Sequence, residues 1–187
     1  HLLRRQRQMC IRDRYNYLSE QYPNDDWDID DILIVTIDIE VACENGFPNP
    51  EQAIEPLLSI TVKNHQSKKF VVWGVGKFNN VRDDVTYVEC ESELHLIKEF
   101  LIFWEKHLPD IITGWNTEFF DIPYLCNRIK NLCGEEEIRR LSPWKNVSSR
   151  SVFKMGRNHQ LYDIQGIAHL DYFDLYRKFT YVAQESY

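Results

Sequence analysis

The sequence predicts an α/β fold, a mixed β-sheet with helices packed on it. Three observations carry this. Between Leu33 and Gly76 three apolar runs with the period of strands follow one another, separated by turn residues. After Ser92 the period changes to a helix, a short strand and a second helix. Strands in hairpin-like succession pair antiparallel, whereas strand–helix–strand units return in parallel, so one sheet must mix both. Third, 187 residues with 43% hydrophobic content can bury a substantial core, and 7 Gly with 7 Pro argue against low complexity.

The first strand, Leu33 to Val41, alternates strictly. Side chains at i and i+2 share a face of a strand. Leu33, Val35, Ile37, Ile39 and Val41 therefore make one apolar face, and Ile34, Thr36, Asp38 and Glu40 make the other. ENGFPNPEQAIEP follows as a loop by its Gly and Pro content. LLSITVK and KFVVWGVG, separated by NHQSK, read as a hairpin, and VTYVE as a further short strand. GVG at 74–76 lies inside that strand pattern with no helix after it, so it reads as hairpin structure rather than a phosphate loop.

In SELHLIKEFLIFWEKHL, Leu94, Ile97, Leu101, Trp104 and Leu108 recur at helical spacing. Pro109 stops the helix, and DIITGW supplies a short strand. NTEFF then leads into DIPYLCNRIKNLCG, whose face is expected at Ile122, Leu125, Ile129 and Leu132. Asp121 is expected at the N-cap, Pro123 in the first turn and Gly134 at the end. Beyond it, EEEIRRL reads as a short helix, SVFKM, QLYDI and GIAHLD as strands, and LDYFDLYRKF as a helix. No internal repeat is visible.

Residues 1–14, HLLRRQRQMCIRDR, hold five Arg and read as a stretch foreign to the fold. Residues 15–32 read as a linker, and 33–187 as the folded domain. Five Cys, an odd number without a CxxC pair, indicate neither a disulfide framework nor a structural zinc site, which suits a reducing cytoplasm. No apolar stretch approaches a membrane span. The net charge is −7. Residues 15–121 hold 21 acids against 7 Lys or Arg, while residues 122–187 hold 7 against 10. An acidic chain is no obvious nucleic-acid binder. Yet a cluster of carboxylates around divalent metal would also look acidic, with phosphate contacts left to the more basic part. Composition by itself decides neither.

Two stretches bear on chemistry. Taken singly, TIDIEV is a half-exposed strand with its polar face in water. Taken singly, GWNTEFFDIPY is a turn held by Asn116, with Phe119 and Phe120 in the core and Asp121 capping a helix. Taken together, Asp38 and Glu40 project from one strand face, and Asp121 stands where a later strand hands over to a helix, a usual place for ligands in α/β sheets. Three converging carboxylates repel unless cations hold them. All-oxygen donors suit Mg²⁺ or Mn²⁺ rather than Zn²⁺. Two such ions ~4 Å apart are the standard device for in-line hydrolysis of a phosphodiester.

TIDIEV, GWNTEFFDIPY and HLDYFDLYRKF resemble the 3′→5′ exonuclease domain of family B DNA polymerases, most closely the T-even-type bacteriophage replicative enzymes. The first matches that family's D-x-E motif and the second its N-x-x-x-F-D motif; GFPNPEQAIEPLLSIT fits as well. The likeness covers about residues 17–187, and the two motifs at this separation are specific where D-x-E alone is not. The resemblance implies a ribonuclease H-like fold and proofreading, the hydrolysis of a frayed primer 3′ end. It implies Asp38, Glu40 and Asp121 as metal-binding catalytic carboxylates for two Mg²⁺ or Mn²⁺ ions. Asp38 would bridge both ions, and Glu40 would hold one and help orient water. Asn116 and Phe120 would contact single-stranded DNA, since stacking on aromatic rings tolerates any base. The family's fourth acid lies in a Y-x-x-x-D motif some tens of residues beyond the helix of LDYFDLYRKF. The chain is expected to stop short of it at Tyr187, which makes the fragment a weak nuclease or none. Asp171 and Asp174 are expected to be structural. Implied partners are the rest of the polymerase chain and a sliding clamp, in the cytoplasm of a host and not on a membrane.

Two other readings compete. In a stand-alone exonuclease of the wider superfamily a His replaces the third-motif Tyr; His159 does not sit five residues before an Asp, whereas His169 does, at Asp174. The other is a non-catalytic nucleic-acid-binding module on the same fold, whose acids are only strand polarity and helix cap.

Overall fold

In the computed structural model, residues 16, 17, 19–23, 28–44, 46–154 and 156–180 are described. The basic stretch 1–14, Cys10 and the terminal VAQESY segment lie outside them. The chain divides into a unit over residues 1–31 and a second over 32–187. In the first, Ile29–Asp31 form a 3₁₀ turn.

The second unit is built around β1, Ile34–Val41. Its alternation works as predicted: Val35, Ile37 and Ile39 are buried, while Asp38 and Glu40 on the opposite face are exposed. β2 (Leu57–Asn64) pairs antiparallel with β1, and β3 (Phe70–Val75) antiparallel with β2, the predicted hairpin. β4 (Val85–Cys90) lies parallel to β3 at one edge. On the other side of β1, β5 (Ile111–Gly114) runs parallel to it, and β8 (Ala168–Asp171) parallel to β5. The sheet order is β4-β3-β2-β1-β5-β8, a six-stranded mixed sheet. With its flanking helices this is the ribonuclease H-like α/β architecture. β6 (Val147–Lys154) and β7 (Arg157–Ile164) form a separate two-stranded antiparallel sheet.

Helix α1, Glu93–Lys106, starts at Ser92, whose hydroxyl accepts the His95 N–H. It packs on β2, β3 and β4. Its buried face is Leu96, Ile97, Phe100, Leu101 and Trp104. Leu94, expected on that face, is 40% exposed, because the helix turns Leu96 and Phe100 inward instead. Trp73 of β3 meets Phe100 and Phe103 edge-on, and the Trp104 indole N–H donates to the Leu141 carbonyl.

Helix α2, Asp121–Cys133, packs on β1 and β7 and ends at Gly134, whose φ of 99° suits glycine. Leu132, expected inside, is 41% exposed; Tyr124 and Cys126 are buried in its stead. The EEEIRRL segment, Glu135–Leu141, is 3₁₀ rather than α-helical. α3, Tyr172–Phe179, begins after Asp171, which caps it. Cys43, Cys90, Cys126 and Cys133 are free thiols. No helix of the described residues is long and apolar enough to cross a membrane.

Candidate functional site

The site begins with an interruption of the sheet. β5 pairs with β1 only as far as Thr36, opposite Thr113, and then ends at Gly114. Past that point the β1 backbone on this side needs another partner. Asp121 provides it. Its Oδ1 accepts the Ile39 N–H at 3.1 Å, between Asp38 and Glu40 in the chain. The side chain expected to cap its own helix is therefore turned onto β1. Asp121 is the first helical residue, and Phe120 holds the cap position without a side-chain bond.

The chain must turn sharply to bring this about. A Cβ on Gly114 would stand 2.3 Å from Thr117 Cγ2 and 2.9 Å from the Ile37 carbonyl oxygen, so only glycine fits. Asn116 has φ 61°, and its carbonyl accepts the Phe119 and Phe120 N–H groups. The turn is held from outside by Asp171. This buried carboxylate accepts the N–H groups of Asn116 (3.0 Å), Glu118 (2.9 Å) and Phe173 (2.8 Å). Asp171 thus ties the start of α3 to the turn before α2. Asp174 pairs instead with Lys154 at 3.1 Å.

Burial sets the electrostatics. It raises the Asp121 carboxyl to about 7, with the charges of Asp38 and Asp171 pushing the same way and the Ile39 N–H opposing. Partial desolvation also raises Asp38, although the residue as a whole is exposed. Among the described residues neither the Asp38 nor the Glu40 side chain has a hydrogen-bond or ion-pair partner, though both backbones pair with β2. The donors are all carboxylate oxygens, and two of them repel, which is chemistry that suits a hard divalent cation. Asp38, Glu40 and Asp121 do not by themselves close a cage: among the described residues no three His, Cys, Asp or Glu side chains are gathered so as to hold a metal ion.

Phe120, the residue before Asp121, lines a pocket of about 340 Å³ that does not include Asp38, Glu40 or Asp121 in its lining. Its floor is Asn116, Phe119 and Phe120. One wall is Phe47, Pro48, Asn49 and Pro50 from the loop after β1; the other is Lys154, Arg157 and His159 from the β6–β7 hairpin. Phe47 and Phe120 meet with ring centres 5.1 Å apart, and the Lys154 ammonium lies 4.1 Å from the centre of the Phe119 ring. Asn116 and Phe120, singled out from their motif, stand together here. The three basic or imidazole residues of the hairpin were not legible individually. Their only signal was the basic balance of residues 122–187.

A mixed sheet whose parallel half breaks off to receive an acid from the following helix is an arrangement of the ribonuclease H-like kind. Comparison makes the assignment specific. The family described as "DNA polymerase family B, exonuclease domain" matches residues 9–187, and the chain belongs to it. It is 34% identical to the DNA-directed DNA polymerase of Escherichia phage RB69 and 30% identical to that of Enterobacteria phage T4, over 91% of this chain in both. It is 32% identical, over 58% of this chain, to the DNA polymerase catalytic subunit of Human herpesvirus 7. The chain spans 22% of the length of each phage polymerase and 11% of the herpesvirus one.

Proposed function

We propose that this chain is the proofreading portion of a family B DNA-directed DNA polymerase. It would hydrolyse the 3′-terminal phosphodiester of single-stranded or frayed DNA. The observation that carries the reading is Asp121, turned away from its own helix cap onto β1 between Asp38 and Glu40. Phe120, its neighbour in the chain, and Asn116 line a pocket of about 340 Å³.

In this reading Asp38, Glu40 and Asp121 hold two Mg²⁺ or Mn²⁺ ions, a set completed by an acid contributed from elsewhere in the polymerase. Such ions, when bound, offset phosphate charge and lower the pKa of water. The chain's own residues do the rest. Phe120 and Phe47 stack on the terminal base, Asn116 donates to the strand, and Lys154 and Arg157 neutralise phosphate. The Ile39 N–H keeps one Asp121 oxygen in place. Partners in this reading are a primer 3′ end, the remainder of the polymerase and a sliding clamp, in the host cytoplasm. Hydrolysis by this chain as it stands is expected to be slow, because three acids are an incomplete set.

The test is a melting experiment alongside an assay. Mn²⁺ should raise the melting temperature of the wild-type chain and leave Asp38→Ala unmoved. Any release of nucleotide from a 3′-labelled single strand should disappear in Asp38→Ala. Within a whole polymerase, Asp38→Ala or Asp121→Ala should abolish 3′→5′ degradation and spare polymerisation. The open acid set also lends some support to a non-catalytic nucleic-acid-binding module. A melting temperature indifferent to Mn²⁺, with DNA binding intact, would decide for that module.

A further inference from the structure

The two walls of the pocket belong to parts of the fold that share no strand pairing. One is the loop after β1; the other is the β6–β7 hairpin, a two-stranded sheet of its own. An isolated hairpin is marginal in water and takes its position from side-chain contacts. The distance between the walls therefore depends on what joins them.

Among the described residues, one side chain is hydrogen-bonded to both sides. Asn127, in the middle of α2 and 7% exposed, donates from Nδ2 to the Pro50 carbonyl at 2.9 Å. Its Oδ1 accepts the hydroxyl of Tyr162, a β7 residue 4% exposed. Pro50 lies in one wall, and Tyr162 follows His159 of the other wall along the same strand. An amide presents donor and acceptor at a fixed separation on one rigid plane. Other α2 side chains, Arg128, Asn131 and Tyr124, hold loop carbonyls farther on, at Gln52 to Glu55, but reach no hairpin residue. The hairpin's own ties, Arg150 to Glu118 and Lys154 to Asp174, do not reach the loop.

We propose that Asn127 and Tyr162 are positioning residues that gauge the width of the pocket, joining its two walls through one buried amide. This rests on the reading that the pocket receives the end of a single strand. Neither residue touches that strand. They hold Phe47 and the Lys154–Arg157 turn at the separation that lets one base stack while its phosphate meets the cations. Without the amide the walls are joined only through the floor rings, where Phe47 meets Phe120 and Lys154 and His159 meet Phe119, and the pocket samples wider openings, so the strand binds more weakly although every contact residue remains.

The experiment measures binding of a 5′-fluorescent tetrathymidylate with a free 3′-hydroxyl to the purified 187-residue chain, in EDTA, at a temperature where circular dichroism shows every variant folded. Tyr162→Phe removes a single oxygen, and Asn127→Leu removes both bonds. Each should raise Kd by roughly three- to tenfold, the equilibrium worth of about one hydrogen bond. The double variant should be no weaker than the weaker single, since both cut one relay. A second readout follows width directly. Spin labels on Cys43 and on Asn158→Cys, with Cys10 and Cys133 replaced by Ser, should give a broader distance distribution in Tyr162→Phe than in wild type. A merely structural role would lower melting temperature without moving either quantity. If Asn127→Leu fails to fold, Tyr162→Phe carries the test alone. Phe120→Ala is the control on the site itself. If it binds like wild type, the assignment of the pocket is wrong. If Phe120→Ala binds weakly while Tyr162→Phe keeps the wild-type Kd and distance distribution, the gauge is wrong. Additive losses in the double variant would likewise overturn a shared relay.

Discussion

At the residue scale, Asp121 combines a structural bond with a chemical liability. Its carboxyl, about 3.8 in the open, is raised to about 7 in the fold, chiefly by burial. Its proton is therefore held more tightly folded than unfolded. The stability this gives is fully present below the unfolded value and is lost as pH rises through about 7. Asp121→Asn stays neutral throughout and keeps an oxygen for the Ile39 N–H. In metal-free buffer it should match wild type near pH 4 and exceed it near pH 8, by on the order of 1–4 kcal/mol. Urea melts at three pH values measure this, and a gap that does not change with pH would refute it. The same substitution should abolish the gain in melting temperature from Mn²⁺.

At the element scale, two junctions decide where the site stands. One is Asp171, whose single carboxylate caps α3 and holds the Asn116 and Glu118 N–H groups. Asp171→Ala strands these donors and should cost about 2–3 kcal/mol. Because Asp171 is spent on backbone, the variant should retain the Mn²⁺-dependent rise in melting temperature that Asp38→Ala loses. A folded Asp171→Ala chain that ignored Mn²⁺ would place this acid among the ligands instead. The other junction is the Arg128–Glu93 pair between α2 and α1, with N–O separation 2.6 Å and both side chains under 15% exposed. Glu93 also accepts the Leu57 N–H, and Arg128 also donates to the Ala53 and Ile54 carbonyls. Removing one partner leaves a buried charge, so Arg128→Ala should cost about 3–5 kcal/mol by chemical denaturation. Lys at 128 should recover little of it, since it lacks the planar fork. A loss under 1 kcal/mol would show that water reaches the pair.

At the scale of the whole molecule, charge is segregated. The chain is −7 overall, yet the pocket's hairpin wall offers Lys154 and Arg157. Single-strand binding should then depend only modestly on salt. With two phosphate contacts the slope of log K against log salt is expected near about −1.4, at about −0.7 per contact. Replacing Arg157 by Gln should shallow it by about half. A slope near zero would mean that the cations meet no phosphate and that stacking alone holds the strand. A slope several times steeper would call for basic surface beyond the pocket.

What the sequence by itself determined is what depends on local period and on motif. Alternation in Leu33 to Val41 put Asp38 and Glu40 on one face, because the strand's two-residue repeat allows nothing else. The hairpin of β2 and β3 and the existence of both main helices followed in the same way. Helical faces were read less well: Leu94 and Leu132 came out exposed, since a four-residue spacing marks a stripe without saying which flank meets the sheet. Within the site, the D-x-E and N-x-x-x-F-D patterns picked out Asp38, Glu40, Asn116, Phe120 and Asp121. Tertiary structure alone decided how they meet. That Asp121 bonds to the Ile39 N–H depends on β5 ending at Gly114. That Lys154 and Arg157 face Phe47 depends on where a separate hairpin is docked, and that a mid-helix Asn127 joins Pro50 to Tyr162 depends on contacts spanning 77 and 35 residues. Such pairings leave no local period, because the bond is chosen by the packing of surfaces and not by neighbours along the chain.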